Sequence, residues 1–115
     1  MIDKDIIIQR EKENDGSSVH LYYNEELGLY LGFGLSAYYT TAVLDPMTSY
    51  SNSMEMPIVL LKKNDILQLR QSMKIIEHQS HAYYLLQTRN KIGKRWYHTW
   101  AEALRQRNNK CNKYK

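Results

Sequence analysis

The residues whose types best suit a chemical role lie between positions 89 and 97. Four cations and two aromatic residues crowd this segment: Arg89, Lys91, Lys94, Arg95, Trp96 and Tyr97. Single-stranded nucleic acids require such a mixture, because cations bind phosphates and each base stacked on a ring contributes about 1–3 kcal/mol. Arg105 and Arg107 would extend the patch. The segment also fits a solvated basic hairpin whose Trp96 fills the core.

A second candidate surface lies in a segment rich in glycine and tyrosine. Residues 29–43 alternate between apolar side chains at odd positions and small or tyrosine side chains at even positions. This period of two is typical of a strand with one face on a core. On the even face, Gly32 and Gly34 would leave a shallow trough between Tyr30 and Tyr38, open to a base, a ligand or a partner strand. Alternatively, the glycines permit bending of the sheet or close packing of a helix.

Patterns for catalysis and metal binding are weaker. The carboxylates form no recognisable acid–base pair, and no nucleophile elbow is present. His78 and His81 stand three residues apart beside Glu77, but no further ligand cluster accompanies them. The sequence therefore predicts a protein without catalysis, cofactor or metal.

The charge of the chain is divided between its two halves. Residues 1–61 hold three basic and nine acidic residues, a net charge of −6, whereas residues 62–115 hold thirteen basic and three acidic ones, a net charge of +10. Within residues 89–115 alone the net charge is +8. This division indicates a polyanion or an acidic partner for the C-terminal half.

Local patterns predict the elements that position these residues. Residues 5–10, 19–24 and 29–43 read as strands, as does the apolar run Pro57–Leu61, with loops at 24–28 and 45–56. The strand over 29–43 would exceed about 45 Å, so it should bend or break near its two glycines.

The C-terminal half is predicted to contain the helices. An apolar stripe at 3- and 4-residue spacing favours a helix from Asn64 to about His78. Residues 82–88 favour a strand over a continuation of this helix, and a turn at 89–93 leads to a returning strand at 94–98. A capping-box pattern at Thr99 predicts a short helix over about 100–108. Residues 1–108 would form one α+β domain, with a basic, frayed tail at 109–115.

The predicted β-β-β-β-α order resembles that of the single-stranded-DNA-binding superfamily that includes Whirly proteins, the Pur-alpha repeat and certain transcriptional coactivators. The resemblance covers residues 5–79 and rests on Tyr38-Tyr39, the loop 45–56 and the run Pro57–Leu61 before the helix. It implies a curved antiparallel sheet, dimerisation, and aromatic residues on strands that contact single-stranded DNA. Unlike those proteins, this chain has acidic rather than basic strands over residues 5–61.

The sequence thus predicts a curved antiparallel sheet followed by a basic hairpin and a short helix, in a non-catalytic protein that binds single-stranded DNA or RNA. The alternative is a protein–protein module or homodimer assembled through complementary acidic and basic surfaces. Cys111 is the single cysteine, which excludes an intramolecular disulfide. The absence of a signal-peptide pattern and of a membrane-spanning apolar run predicts a cytoplasmic location.

Overall fold

Six strands form one open antiparallel sheet in the computed structural model, which describes residues 4–79, 82–89, 91 and 93–112. The strand order is β3-β4-β2-β1-β6-β5, and four helices accompany the sheet. The elements are α1 (Lys4–Lys12), β1 (Ser18–Asn24), β2 (Leu29–Phe33), α2 (Gly34–Thr41), β3 (Met47–Ser51), β4 (Met56–Leu61), α3 (Lys63–Ser72), β5 (Met73–Gln79), β6 (Tyr83–Thr88) and α4 (Tyr97–Asn112). The predictions of an α+β fold, an antiparallel sheet and a C-terminal helix are confirmed.

The two faces of the sheet are covered unequally. We call one the α2 face; it carries Val19, Leu21, Val59 and Leu86, which pack with the buried side chains of α2 and α3 in the larger core cluster. Trp100 of α4 packs against the same cluster. We call the other the α1 face. Its smaller core cluster consists of Ile7 of α1 and the rings Tyr22, Phe33 and Tyr83.

The predicted strand at 5–10 is wrong, because this segment lies in the helix α1. Three consecutive isoleucines suggested a strand, yet only Ile7 is buried, together with Glu11 one turn later. Residues four apart share one side of a helix, so these two side chains point together into the molecule. Tertiary contacts of that side therefore outweigh the β-branched preference for a strand.

The long strand at 29–43 does break at the glycines, but its second half is a helix. β2 ends at Phe33, and Gly34, with a φ of +57°, starts α2. A left-handed φ of this kind favours glycine, since a Cβ there would be strained. The buried positions Ser36, Ala37 and Thr40 then follow helical spacing. The predicted β-β-β-β-α order is consequently wrong, because α1 and α2 interrupt it.

Three further boundaries differ from the predictions. The loop at 45–56 contains the edge strand β3. The helix from Asn64 to His78 is divided into α3 and β5, with Lys62 rather than Asn64 at its N-cap, where the Lys62 backbone N–H donates to Asp65 at 2.9 Å. Ile66 and Leu69 of α3 and Met73, the first residue of β5, are all buried. The apolar stripe therefore continues from the helix into the following strand.

The predicted return strand at 94–98 is also wrong. Residues 93–96 form a loop and turn, and α4 begins at Tyr97 and continues to Asn112. The chain follows helical spacing because Trp100 and the buried Leu104 lie four residues apart and both face the protein. Part of the predicted tail, residues 109–112, is therefore helical, whereas 113–115 lie outside the described residues.

Candidate nucleic-acid interface

The start of α4 fixes the arrangement of the predicted site. The backbone N–H of Trp100 donates to the carbonyl of Trp96 at 3.0 Å, which closes the first turn of the helix. The ring of Tyr97 turns inward and lies 5.7 Å from Tyr38, which in turn lies 5.2 Å from Trp100. Burial raises the pKa of Tyr97 to about 12. Of the two aromatic residues predicted to stack on bases, Tyr97 is therefore engaged in packing.

Trp96, the other predicted stacking residue, lies on the surface with 59% of its area exposed. The guanidinium carbon of Arg95 lies 5.0 Å from the centre of its ring, within the range of a cation–π contact. Both side chains belong to the turn that precedes α4. The alternative prediction, that Trp96 fills the core, is wrong.

Two lysines of the segment contact the loop between α1 and β1. Lys94 Nζ donates to the carbonyl of Asn14 at 2.7 Å, and Lys91 Nζ lies 3.4 Å from a carboxylate oxygen of Asp15. Hydrogen bonds from Ser17, followed by the contact with Lys91, lower the pKa of Asp15. The acidic and basic halves of the sequence thus meet within one chain.

Two of the remaining predicted cations have partners on helices, Arg89 on α3 and Arg105 on α4. Arg89 follows β6 and donates to the carbonyl of Gln71 at 3.4 Å. Arg105 pairs with Glu102 one turn earlier on α4, and hydrogen bonds from Arg105 lower the pKa of Glu102. Arg105 stands ten residues from Arg95, or about 15 Å along a helical rise. The contacts of the predicted cations therefore involve three parts of the fold, namely the loop between α1 and β1, the helix α3 and the helix α4 itself.

Shallow grooves lie on either side of α4. The first, of about 570 Å³, is lined by residues of α2, β3, α4 and the loop between α2 and β3, with Arg107 and Asp45 as its charged members. The second, of about 490 Å³, is lined by Tyr50, Glu55, Pro57, Tyr97, His98, Ala101 and Glu102. Arg107 thus lines the same groove as Asp45.

The second candidate surface, at Tyr30, Gly32, Gly34 and Tyr38, is covered. A Cβ at Gly32 would lie 3.1 Å from side-chain atoms of both Leu21 and Val59 and 3.8 Å from the backbone of α2. Tyr30 is buried, and Tyr38 packs against the aromatic residues of α4. The glycines permit close packing of a helix, which was the alternative prediction for this segment. The described residues therefore leave no open trough at this place in the sheet.

A buried carboxylate that the sequence did not reveal lies at the start of α2. Glu11 is only 6% exposed, and its two oxygens accept the backbone N–H of Ser36 at 2.8 Å and the Ser36 hydroxyl at 2.6 Å. Burial raises the pKa of Glu11 to about 7, although the hydrogen bonds from Ser36 and Asn14 act in the opposite direction. Glu11 thus caps α2 from another helix, 25 residues away in sequence. No local pattern could have signalled this role.

A second polar cluster joins α1 to the sheet. The Arg10 guanidinium lies 4.5 Å from the ring centre of Tyr83 and 5.7 Å from that of Tyr22. The Tyr83 hydroxyl shares a hydrogen bond of 2.8 Å with Nδ1 of His20. Burial, with a smaller effect of Arg10, lowers the pKa of His20 to about 4, so its ring is neutral at pH 7. These contacts hold α1 on the sheet.

The described residues contain no group of three or more His, Cys, Asp or Glu side chains placed to hold a metal ion. His78 stacks on Tyr84 with ring centres 4.1 Å apart, and His81 lies outside the described residues. Within the described part of the chain, no helix is both long and apolar enough to cross a membrane.

Comparison with known proteins gives no match. No family model matches the chain, and neither a curated protein nor a solved structure does. The resemblance to the single-stranded-DNA-binding superfamily therefore stays a prediction, and the element order on which it depended differs from that of the structure.

Proposed function

We propose that this protein binds single-stranded DNA or RNA without catalysis, and that Arg95 and Trp96 at the start of α4 form the centre of the binding surface. The observation that carries the proposal is the exposed Trp96 ring with a guanidinium 5.0 Å away. A nucleobase offers a flat partner for the ring, while the adjacent phosphate offers a partner for the cation.

The cations around Trp96 support the same function. Lys91 and Arg95 are exposed, and the Lys94 ammonium, which donates one hydrogen bond to the Asn14 carbonyl, has two further N–H donors for a phosphate. Lys91 already contacts Asp15, but the two side chains are 69% and 55% exposed. An ion pair this exposed contributes about 0.2–1 kcal/mol, so a phosphate can replace Asp15 at little cost.

The strand would then follow α4 from its N-terminus. Arg105 lies about 12 Å of helical rise beyond Tyr97, at a distance that two or more nucleotides of an extended strand would span, whereas Arg107 projects from the opposite side of the helix. Only Glu102 is acidic among residues 89–107, against six basic residues. This excess of positive charge favours phosphates in any sequence, so binding should have little base preference.

Fluorescence anisotropy of labelled oligonucleotides tests this proposal. With thymidine or uridine oligomers of about 20 nucleotides, Trp96→Ala should weaken binding by about 5- to 150-fold, because loss of one stacked base removes about 1–3 kcal/mol. Arg95→Ala should also weaken binding, and more so at low salt. Unchanged affinity in Trp96→Ala would contradict the proposed stacking.

A matched control variant distinguishes binding at this surface from attraction by the overall positive charge of the protein. Arg70 is an exposed arginine on α3, outside the segment around Trp96. Arg70→Ala removes the same charge as Arg95→Ala but should leave binding nearly unchanged. Equal losses in both variants would mean that overall charge, rather than this surface, attracts the nucleic acid.

A further inference from the structure

The α1 face of the sheet is apolar beyond the area that α1 covers. One row of cross-strand neighbours crosses this face through Met47, Leu60, Leu31, Tyr22 and Tyr83. Contacts of Ile7 and Arg10 cover the tyrosine end of the row. At the other end Leu31 and Leu60 are partly buried, and Met47 is 66% exposed.

The sequences of the strands make this exposure unusual. β2 (LYLGF) and β4 (MPIVLL) carry apolar residues on both faces, and the four neighbouring strands β1 to β4 contain no Asp, Glu, Lys or Arg. An antiparallel strand with one face in water normally alternates apolar and polar residues, whereas a strand covered on both faces reads as a continuous apolar run. The two central strands therefore have the composition of strands covered on both sides.

We infer that a second copy of this chain covers the α1 face, with the two sheets packed face to face about a two-fold axis. Sheets pack about 10 Å apart with interdigitating apolar side chains, so the partner must present a pleated face without charges. The chain itself carries such a face. A two-fold rotation brings it onto its own counterpart, so that no charged strand residue is buried and no like charges meet.

The size of the open face sets the expected strength of the contact. Three strands at about 4.8 Å spacing, each about 18 Å long, give a flat footprint of about 250 Å². A standard interface buries about 800 Å² on each partner. Even with the corrugation of the side chains and the flank of α1, the contact is small. We therefore expect a weak, reversible dimer with a dissociation constant of about 0.1 mM or higher.

Sedimentation equilibrium of the full chain, from about 20 µM to about 1 mM, tests this inference. The wild-type chain should dimerise equally well in about 0.05 M and about 0.5 M NaCl, because an apolar contact is not screened. A chain that stays monomeric throughout would overturn the inference. So would a dimer that dissociates at the higher salt concentration, since that dimer would depend on the acidic and basic surfaces.

Two variants and one control locate the contact. Leu60→Lys places a charge in the middle of the open row, and Met47→Lys places one at its exposed edge, where folding is least affected. Each should raise the dissociation constant about 10-fold or more, because either lysine would bring a charge against the apolar face of the partner. Leu67→Lys makes the same change on α3, where Leu67 is 50% exposed, and should leave dimerisation unchanged. Dimers that persist in Met47→Lys, with circular dichroism like that of the wild type, would refute this interface.

Discussion

Glu11 predicts an unusual dependence of stability on pH. Burial raises its pKa in the folded protein from an ordinary 4.5 to about 7. Between these values the unfolded chain releases a proton that the folded chain keeps, so the free energy of unfolding falls as pH rises, by about 1.4 kcal/mol for each pH unit. Over the whole window the loss amounts to about 3 kcal/mol, and it is complete above pH 7. Acidic conditions should therefore favour this part of the fold.

His20 works against this effect in the wild-type chain. Its pKa is lowered to about 4 in the folded protein, so the stability that depends on its neutral ring is lost as pH falls below the ordinary value of 6.5. The two slopes oppose each other over nearly the same range. The contribution of Glu11 must consequently be obtained as a difference between wild-type and variant chains at each pH, in which the effect of His20 cancels.

Urea unfolding of the wild type and of Glu11→Gln from pH 4.5 to 8 provides this difference. The glutamine oxygen can still accept the Ser36 N–H, but the side chain does not titrate. Relative to Glu11→Gln, the wild type should lose about 3 kcal/mol between the two ends of the range. Glu13→Gln, which changes an exposed carboxylate directly after the same helix, is the matched control variant. A wild type that gains stability relative to Glu11→Gln as pH rises would refute the reasoning, because the hydrogen bonds from Ser36 would then outweigh burial.

Four further substitutions, in two pairs, test the packing around Gly32 and the hydrogen bonds of two buried tyrosines. Gly32→Ala should lower the free energy of unfolding by about 1–3 kcal/mol, because the new methyl group lies 3.1 Å from Leu21 and Val59, whereas Gly93→Ala, with open space at its Cβ, should change it little. Chemical denaturation compares the two, and an unaffected Gly32→Ala would mean that the sheet can yield here. No described residue offers a hydrogen-bond partner to the buried Tyr39 hydroxyl, so Tyr39→Phe should be neutral or stabilising. Tyr83→Phe, which removes the bond to His20, should instead destabilise by about 1 kcal/mol, and a thermal scan that reversed this order would contradict the hydrogen-bond assignments.

The sequence predicted those elements whose signals are local. The strands around Val19–Asn24, Pro57–Leu61 and 82–88 follow from alternation or an apolar run between turn residues, and all three are present as β1, β4 and β6. The break near Gly34 was also predictable from the length of the alternating segment. By contrast, nothing near Gly34 indicates that a helix follows, because the side chain that caps this helix belongs to Glu11 in another element.

The candidate site likewise contains contacts that are local in sequence and contacts between distant residues. Arg95 and Trp96 are neighbours in sequence, so their contact could be expected from the sequence alone. The close packing around Gly32 could not be expected from the sequence, since it depends on whether residues 34–41 form a strand or a helix packed above it. The contacts of Lys91 and Lys94 with the loop around Asp15 join residues about 80 positions apart, and charge patterning gives no indication of such a pairing.

The salt dependence of binding to a single-stranded oligonucleotide tests the central claim most directly. If three to six of the cations between Arg89 and Arg107 contact phosphates, the logarithm of the binding constant should fall with the logarithm of salt concentration with a slope of about −2 to −4. Arg95→Ala should make that slope shallower by about 0.7, as expected for the loss of one phosphate contact. A chain that does not bind at about 0.05 M salt, or whose binding is insensitive to salt, would contradict the proposed function.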